Sequence, residues 1–197
     1  MATIYEARIA PFIDKVFTIT GTQYYYHNSG KPHGGLDIST GFKDNLYSMV
    51  EGTVKSVVHN HSSYGNYIII QDDTTGDTFL YAHMDSIDLA IQSGGHVSMK
   101  QLVGVEGRTG SATGIHVHLE LQYLDPGDSW EWGIDYNDRP NVAEYMGLTN
   151  TYHLQAIYDG EPGPTPPPPP PIYDFTPKKK FPWFIYNHRR MTGRKRR

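Results

Sequence analysis

GIHVHLEL, residues 114–121, reads as a β-strand, yet it carries two histidines one residue apart. Successive side chains of a strand point to opposite faces, so Ile115, Val117, Leu119 and Leu121 share one face and His116, His118 and Glu120 the other. The first face is made to pack. The second sets two imidazoles and a carboxylate in consecutive same-face positions, which a merely solvated strand face does not require. A lone histidine there would be an ordinary strand residue; the row of three points towards chemistry without saying which.

The rest of the chain is written in the same pattern. Period-two or short apolar runs at 16–20, 46–50, 53–59, 67–71, 78–83, 102–106 and 115–122, separated by Gly, Asn, Asp and Ser, predict strands. Only 142–146 reads as helix. Glycine (20) and tyrosine (15) are abundant and charged residues make up 19%, a balance that fits a β-rich domain better than a helical bundle. The expected fold is mainly β, an antiparallel sandwich or barrel-like arrangement with few short helices.

A chain of 197 residues suffices for one ordinary domain and something smaller. The boundary is EPGPTPPPPPPI, residues 161–172, which holds eight of the fourteen prolines and should form a stiff polyproline II spacer. Charge divides there too: residues 1–171 carry 8 Lys or Arg against 20 Asp or Glu, net −12, and residues 172–197 carry 9 against 1, net +8. Three parts are expected: a main domain over 1–161, a linker over 162–171 and a basic aromatic tail over 172–197. At net +8 the tail is expected to seek polyanions such as anionic wall polymers, or to dock on a virion protein. Pro182 opposes a long helix through its aromatic centre. Nucleic acid is disfavoured as the main ligand because the large part is acidic and repels phosphate. The first twenty residues show no basic segment followed by an apolar one, and nowhere is there an apolar run long enough to cross a bilayer, so neither an export signal nor a membrane span is expected.

Cysteine is absent, which leaves His, Asp and Glu as the available metal ligands, and there are ten histidines. In KPHGGLD, residues 31–37, His33 and Asp37 flank two glycines that free the backbone to turn tightly. A catalytic zinc site needs three protein ligands and one open position; His33, Asp37 and one of His116 and His118 would supply the three. A further histidine, His83, ends the strand-like run FLYAHM, residues 79–84. Taken alone it is an ordinary packed imidazole, and it gains weight from the two clusters beside it.

In order along the chain, HGGLD, SYGNYIII, TFLYAHM and GRTGSATGIHVHLEL resemble the lysostaphin-type (LytM-like) zinc endopeptidases, whose motifs are His-x-x-x-Asp, a Tyr-Gly-Asn-Tyr-like strand entry, Tyr-Ala-His, a Gly-x-Thr-Gly turn and His-x-His. The likeness runs over about residues 24–121, and more weakly through NVAEYM at 141–146. It implies the family's duplicated hybrid motif as the fold, one Zn2+ per chain held by His33, Asp37 and His118, and His83 and His116 as an unligated catalytic pair. A tyrosine ahead of the first ligand is implied to help stabilise the oxyanion; of Tyr24, Tyr25 and Tyr26, the reading takes Tyr26. The implied activity is hydrolysis of peptide bonds in the stem or cross-bridge peptides of bacterial peptidoglycan. The expected place of action is outside the cytoplasm at the cell wall, and the expected origin is phage or prophage, with release through a holin or carriage in a virion. A non-catalytic wall-binding or virion structural protein on the same fold is the alternative; it predicts missing ligands, whereas the full set stands in this sequence.

Other polar residues receive plainer readings. Glu120 is expected in a surface salt bridge rather than behind a ligand histidine. His59 and His61 fall in HNHSSYGNY, read as a turn, and His96 in SGGHVSMKQ, read as a hairpin turn. The aromatic stretch 124–140, with Trp130, Trp132 and Tyr136, is expected to cap the open end of a sheet.

Overall fold

Period-two alternation is realised along most of the chain. In the computed structural model the described residues, 3–124, 130, 135 and 139–161, form β1 (Ile4–Glu6), β2 (Lys15–Gly21), β3 (Tyr24–Tyr25), β4 (Pro32–His33), β5 (Leu36–Ser39), β6 (Asn45–Tyr47), β7 (Gly52–His61), β8 (Gly65–Asp72), β9 (Thr78–Met84), β10 (Ser86–Ile87), β11 (His96–Val97), β12 (Leu102–Val105), β13 (Val117–Gln122), the short helix α1 (Val142–Tyr145) and β14 (Gln155–Tyr158). All lie within one compact unit, Met1–Pro164. The expected linker and tail fall outside the described residues.

The strands make a nine-stranded sheet in the order β1-β14-β2-β5-β13-β9-β8-β7-β11, a three-stranded sheet β10-β12-β6 and a two-stranded sheet β3-β4. Pairing is antiparallel except between β1 and β14. The fold is mainly β with one short helix, as the sequence predicts, and its large sheet is open rather than closed into a barrel.

The centre of that sheet is buried on both faces. Val117, Leu119 and Leu121 of β13 join Phe79 and Tyr81 of β9, Ile68 and Ile70 of β8 and Ile38 of β5 in the main core. Each such side chain contributes roughly 1.5–3 kcal/mol by leaving water. The opposite face carries a smaller apolar cluster of Tyr67, Ile69, Leu80 and Ala82, with Val58, Tyr64 and Trp130 packed on it. His118, Glu120 and Gln122 share this second face and are buried with it. The polar face of GIHVHLEL is therefore interior, and its charges must find partners there.

Helix α1 matches its expectation. Asn141 caps it, the side chain accepting from the Glu144 N–H, and Val142 and Ala143 bury against the sheet core. This short element matters because it fixes the segment that precedes it, residues 139–141, against β3.

Candidate metal centre

Strand register builds the site. His118 of β13 lies directly opposite Asp37 of β5, with Val117 opposite Ile38 and Leu119 opposite Leu36. On the other side of β5, Gly21 faces Asp37, and a Cβ there would stand 2.3 Å from Asp37 Oδ2. The carboxylate thus occupies room that any other residue at position 21 would take. His33 arrives from β4 through Gly34 and Gly35. A Cβ on Gly35 would be 2.2 Å from the Leu119 carbonyl oxygen and 2.8 Å from His118 Nε2, so only glycine lets the link cross β13 this closely.

The three side chains converge. His118 Nδ1 lies 2.8 Å from Asp37 Oδ1, His33 Nε2 lies 3.1 Å from His118 Nδ1 and 3.2 Å from Asp37 Oδ1, and all three residues are buried. Each imidazole is held from behind. His33 Nδ1 donates to the Thr22 carbonyl at 2.8 Å, and His118 Nε2 donates to Glu120 Oε1 at 3.1 Å. With those hydrogens committed, the inner nitrogens of the neutral rings turn lone pairs towards each other and towards a carboxylate oxygen. Such a set repels itself unless a proton on His118 or a metal ion stands among its members, and two imidazoles with one carboxylate are donors well matched to zinc. Among the described residues His33, Asp37 and His118 are the one group of ionisable side chains arranged to hold a metal ion.

His83 and His116 stand beside this group. The His83 ring is 4.8 Å from that of His116 and 5.9 Å from that of His118, centroid to centroid, and His116 Nε2 is 3.6 Å from Asp37 Oδ1. Both rings are also held by Nδ1, His83 on the Thr109 carbonyl at 2.9 Å and His116 on the Gly114 carbonyl at 3.0 Å. Their Nε2 atoms are left as acceptors. His83 is at φ 61°, a left-handed conformation that costs an L-residue roughly 1–2 kcal/mol. The turn at 107–111 supports it: Thr109 N donates back to the His83 carbonyl at 3.3 Å, and Gly65 and Gly110 allow the two loops to touch.

Electrostatics separate the two pairs. Burial, reinforced by His116 and His118, pushes the His83 pKa down to about 4, and burial likewise lowers that of His116 against the pull of Asp37. Both are neutral at pH 7. For His118 burial acts downward, but hydrogen bonds to Asp37 and Glu120 outweigh it and lift the pKa to about 9. For Asp37 burial acts upward, and the hydrogen bonds from His118 and His33 overcome it, holding the carboxyl well below the usual range. His118 and Asp37 attract and keep positive charge; His83 and His116 shed it.

The structure thus brings together His33, Asp37, His83, His116 and His118. Tyr26 also reaches the group, its ring stacked on His33 at 4.0 Å between centroids and 22° between planes. Tyr24 does not offer its hydroxyl, which donates to the Arg139 carbonyl at 3.2 Å. Glu120 corrects the surface reading: it is 1% exposed, bonded to His118, Tyr64 and Arg139. His59 and His61 lie in β7 rather than in a turn, exposed, with the hairpin turn just beyond at 62–64. His96 lies in edge strand β11, paired with Thr53. Of 124–140 only Leu124, Trp130, Asp135, Arg139 and Pro140 are described; Trp130 packs on the second apolar cluster, and Trp132 and Tyr136 fall outside the described residues. Arg139 and the Thr22 carbonyl were not picked out from the sequence, and Tyr64 and Thr109 stood there only inside family motifs without a role, because all four reach the site through the fold.

Comparison with known proteins gives the family. Residues 31–129, half of the chain, match Peptidase family M23. Peptidoglycan DD-endopeptidase ShyA of Vibrio cholerae is 33% identical over 90 residues, 46% of this chain and 20% of that protein. Peptidoglycan DD-endopeptidase ShyB of the same organism is 36% identical over 90 residues, with the same shares. The matched stretch is thus about a fifth of each curated relative. Among solved structures, the catalytic domain of lysostaphin from Staphylococcus simulans superposes with a TM-score of 0.54 at 17% identity, covering 66% of this chain and 91% of that one. LytU gives 0.52 at 20% identity, covering 64% and 82%. These two likenesses are of fold. With half of its length matched and that stretch containing His33, Asp37, His83, His116 and His118, the chain belongs to peptidase family M23.

Proposed function

We propose that this chain is a zinc metalloendopeptidase that hydrolyses peptide bonds in the stem or cross-bridge peptides of bacterial peptidoglycan. The observation that carries the reading is the convergence of His33 Nε2, Asp37 Oδ1 and His118 Nδ1 within 3.2 Å of one another, with two neutral imidazoles at its edge. Because the Vibrio relatives are peptidoglycan DD-endopeptidases, a peptidoglycan peptide with a D,D bond is the first substrate to try.

His33, Asp37 and His118 are the residues that would hold the zinc, one ion per chain, which when bound lowers the pKa of a water towards neutrality and polarises a carbonyl. His83 and His116 do the proton work. Each presents a free Nε2, and as neutral bases at pH 7 they take a proton from the nucleophile and return it to the leaving amine. A group with a pKa near 4 gives up a proton readily once it holds one, so His83 is well suited to the second half of that transfer. Tyr26, whose ring stacks on His33, is the candidate donor to the oxyanion. Asp37 supplies the negative charge beside His33 and His118.

The setting belongs to the same proposal: action at the cell wall, from a phage or prophage, with the basic tail tethering the enzyme to anionic wall polymers or to a virion. The net +8 of residues 172–197 supports it. Mass spectrometry of purified virions and wall-binding assays of the full chain against one ending at 161 test that part.

The catalytic reading is tested by digesting defined cross-linked muropeptides with the purified chain, first as isolated, then after chelation, then after zinc is restored. New amine termini should appear, vanish and reappear in that order. Cleavage that survives complete removal of metal would refute the proposal.

A further inference from the structure

Arg139 lies ten residues beyond the end of the family match at 129, yet it is 5% exposed and reaches the back of the metal centre. Its Nη1 donates to Glu120 Oε2 and to the Gly34 carbonyl at 3.4 Å. Glu120 in turn accepts from His118 Nε2 at 3.1 Å and from the Tyr64 hydroxyl at 2.9 Å. One guanidinium nitrogen therefore touches the carboxylate behind His118 and the backbone carbonyl that follows His33. The Arg139 backbone is itself held, its carbonyl accepting from Tyr24, while the next residue, Pro140, accepts from Gln23 Nε2 at 2.7 Å. Gln23 Oε1 accepts from Val142 N at 2.9 Å, and Asn150 brackets the Gln23 backbone at 3.0 Å on both sides. Gln23 is the neighbour of Thr22, whose carbonyl orients His33.

We infer that Arg139 is a positioning residue for the metal: by fixing Glu120 it keeps the His118 hydrogen on Nε2, so that Nδ1 points a lone pair at the ion. A carboxylate buried this deeply is costly unless it is paired and hydrogen-bonded. With Arg139 and Tyr64 bonded to it, Glu120 keeps its orientation, and the imidazole in front of it keeps its rotation and its Nε2 hydrogen bond. A merely structural ion pair would support the fold without setting affinity for zinc. This inference rests on the zinc site proposed above.

The test measures zinc dissociation constants by competition with a chromophoric chelator, on the full-length chain and on E120Q, R139M and the double variant, each checked for folding by circular dichroism. Removal of such a partner typically weakens metal binding 10- to 100-fold. That loss is expected in E120Q and in R139M, with the double variant no weaker than the weaker single, because both act through one path. Nitrogen NMR of the histidine rings, taken on zinc-free wild type and zinc-free R139M at the same alkaline pH where the ring is neutral, should show His118 protonated at Nε2 in wild type and mixed between tautomers in R139M. A folded R139M or E120Q with zinc affinity within twofold of wild type overturns the inference. So does an R139M effect that persists in full in the E120Q background, which would bypass Glu120. If R139M does not fold, R139K, which keeps the charge and loses the planar fork, replaces it in the same measurements, with the same outcomes expected and the same outcomes overturning the inference. A wild-type chain that binds no zinc would overturn the metal site itself, an outcome distinct from a tight wild type and equally tight variants.

Discussion

Replacing Gly35 by alanine should open the metal centre. The added methyl would stand 2.2 Å from the Leu119 carbonyl oxygen, 2.8 Å from His118 Nε2 and 2.9 Å from Glu120 Cγ, where ordinary contact begins near 3.4 Å. The closest of these atoms is β13 backbone, bonded into the middle of a sheet, so the link carrying His33 must retreat by about 1.2 Å to reach 3.4 Å. Three donors that lie within 3.2 Å of one another cannot absorb such a retreat on one side and still surround one ion. Overpacking of this kind costs about 1–3 kcal/mol, and the upper end is expected because the obstruction is main chain. Urea melts of the metal-free protein measure that loss, and chelator competition measures zinc binding, expected to fall by at least tenfold. Gly114→Ala is the control: nothing lies within 4 Å of its added methyl, and its stability should stay within about 0.5 kcal/mol. A Gly35→Ala chain with wild-type stability and zinc affinity would refute the steric reasoning.

His116→Ala should retain zinc and lose turnover by roughly 10²–10⁴-fold, as expected for loss of a general acid or base; muropeptide digestion with metal analysis on the same sample checks both halves. His83 has its folded pKa depressed from the ordinary 6.5 to about 4, so the unfolded chain binds the extra proton first as pH falls. Its contribution to stability is therefore complete above pH 6.5 and is lost as pH falls towards 4, and thermal melts of His83→Asn should decline less steeply than wild type across that window. Leu119→Ala, at a position 1% exposed in the main core, should cost about 2–5 kcal/mol in a denaturant titration while its cross-strand partner Leu36 keeps the register of β5.

The candidate ligands His33 and Asp37, and the choice between His116 and His118, were legible in sequence because their signals are local; the resemblance, not the pattern, singled out His118. The two glycines of HGGLD mark a tight crossing, and alternation in GIHVHLEL places His118 and His116 on one face. What alternation does not reveal is whether that face meets water. Glu120 looked like a surface residue because its burial depends on Arg139, nineteen positions later along a stretch whose own pattern is irregular. The turn expected around His59 and His61 was displaced for a related reason. Ser62 and Ser63 lie in the turn itself, but β7 continues through His61 by pairing with Gly65, with a register shift after Val58 that composition does not record. His96 was taken for a turn because a two-residue edge strand leaves almost no periodic trace. The pairing of His83 with Thr109 is similarly tertiary, since it needs the turn at 107–111 to lie against the end of β9.

The central claim is that His33, Asp37 and His118 hold a zinc on which peptide hydrolysis depends, and the most direct measurement is the zinc content of the purified full-length chain and of His118→Ala, taken with their cleavage of the same cross-linked muropeptide. The account predicts about one zinc per wild-type chain with cleavage, and in the variant both little zinc and no cleavage. A His118→Ala chain that keeps its zinc, or one that cuts without it, would contradict the account.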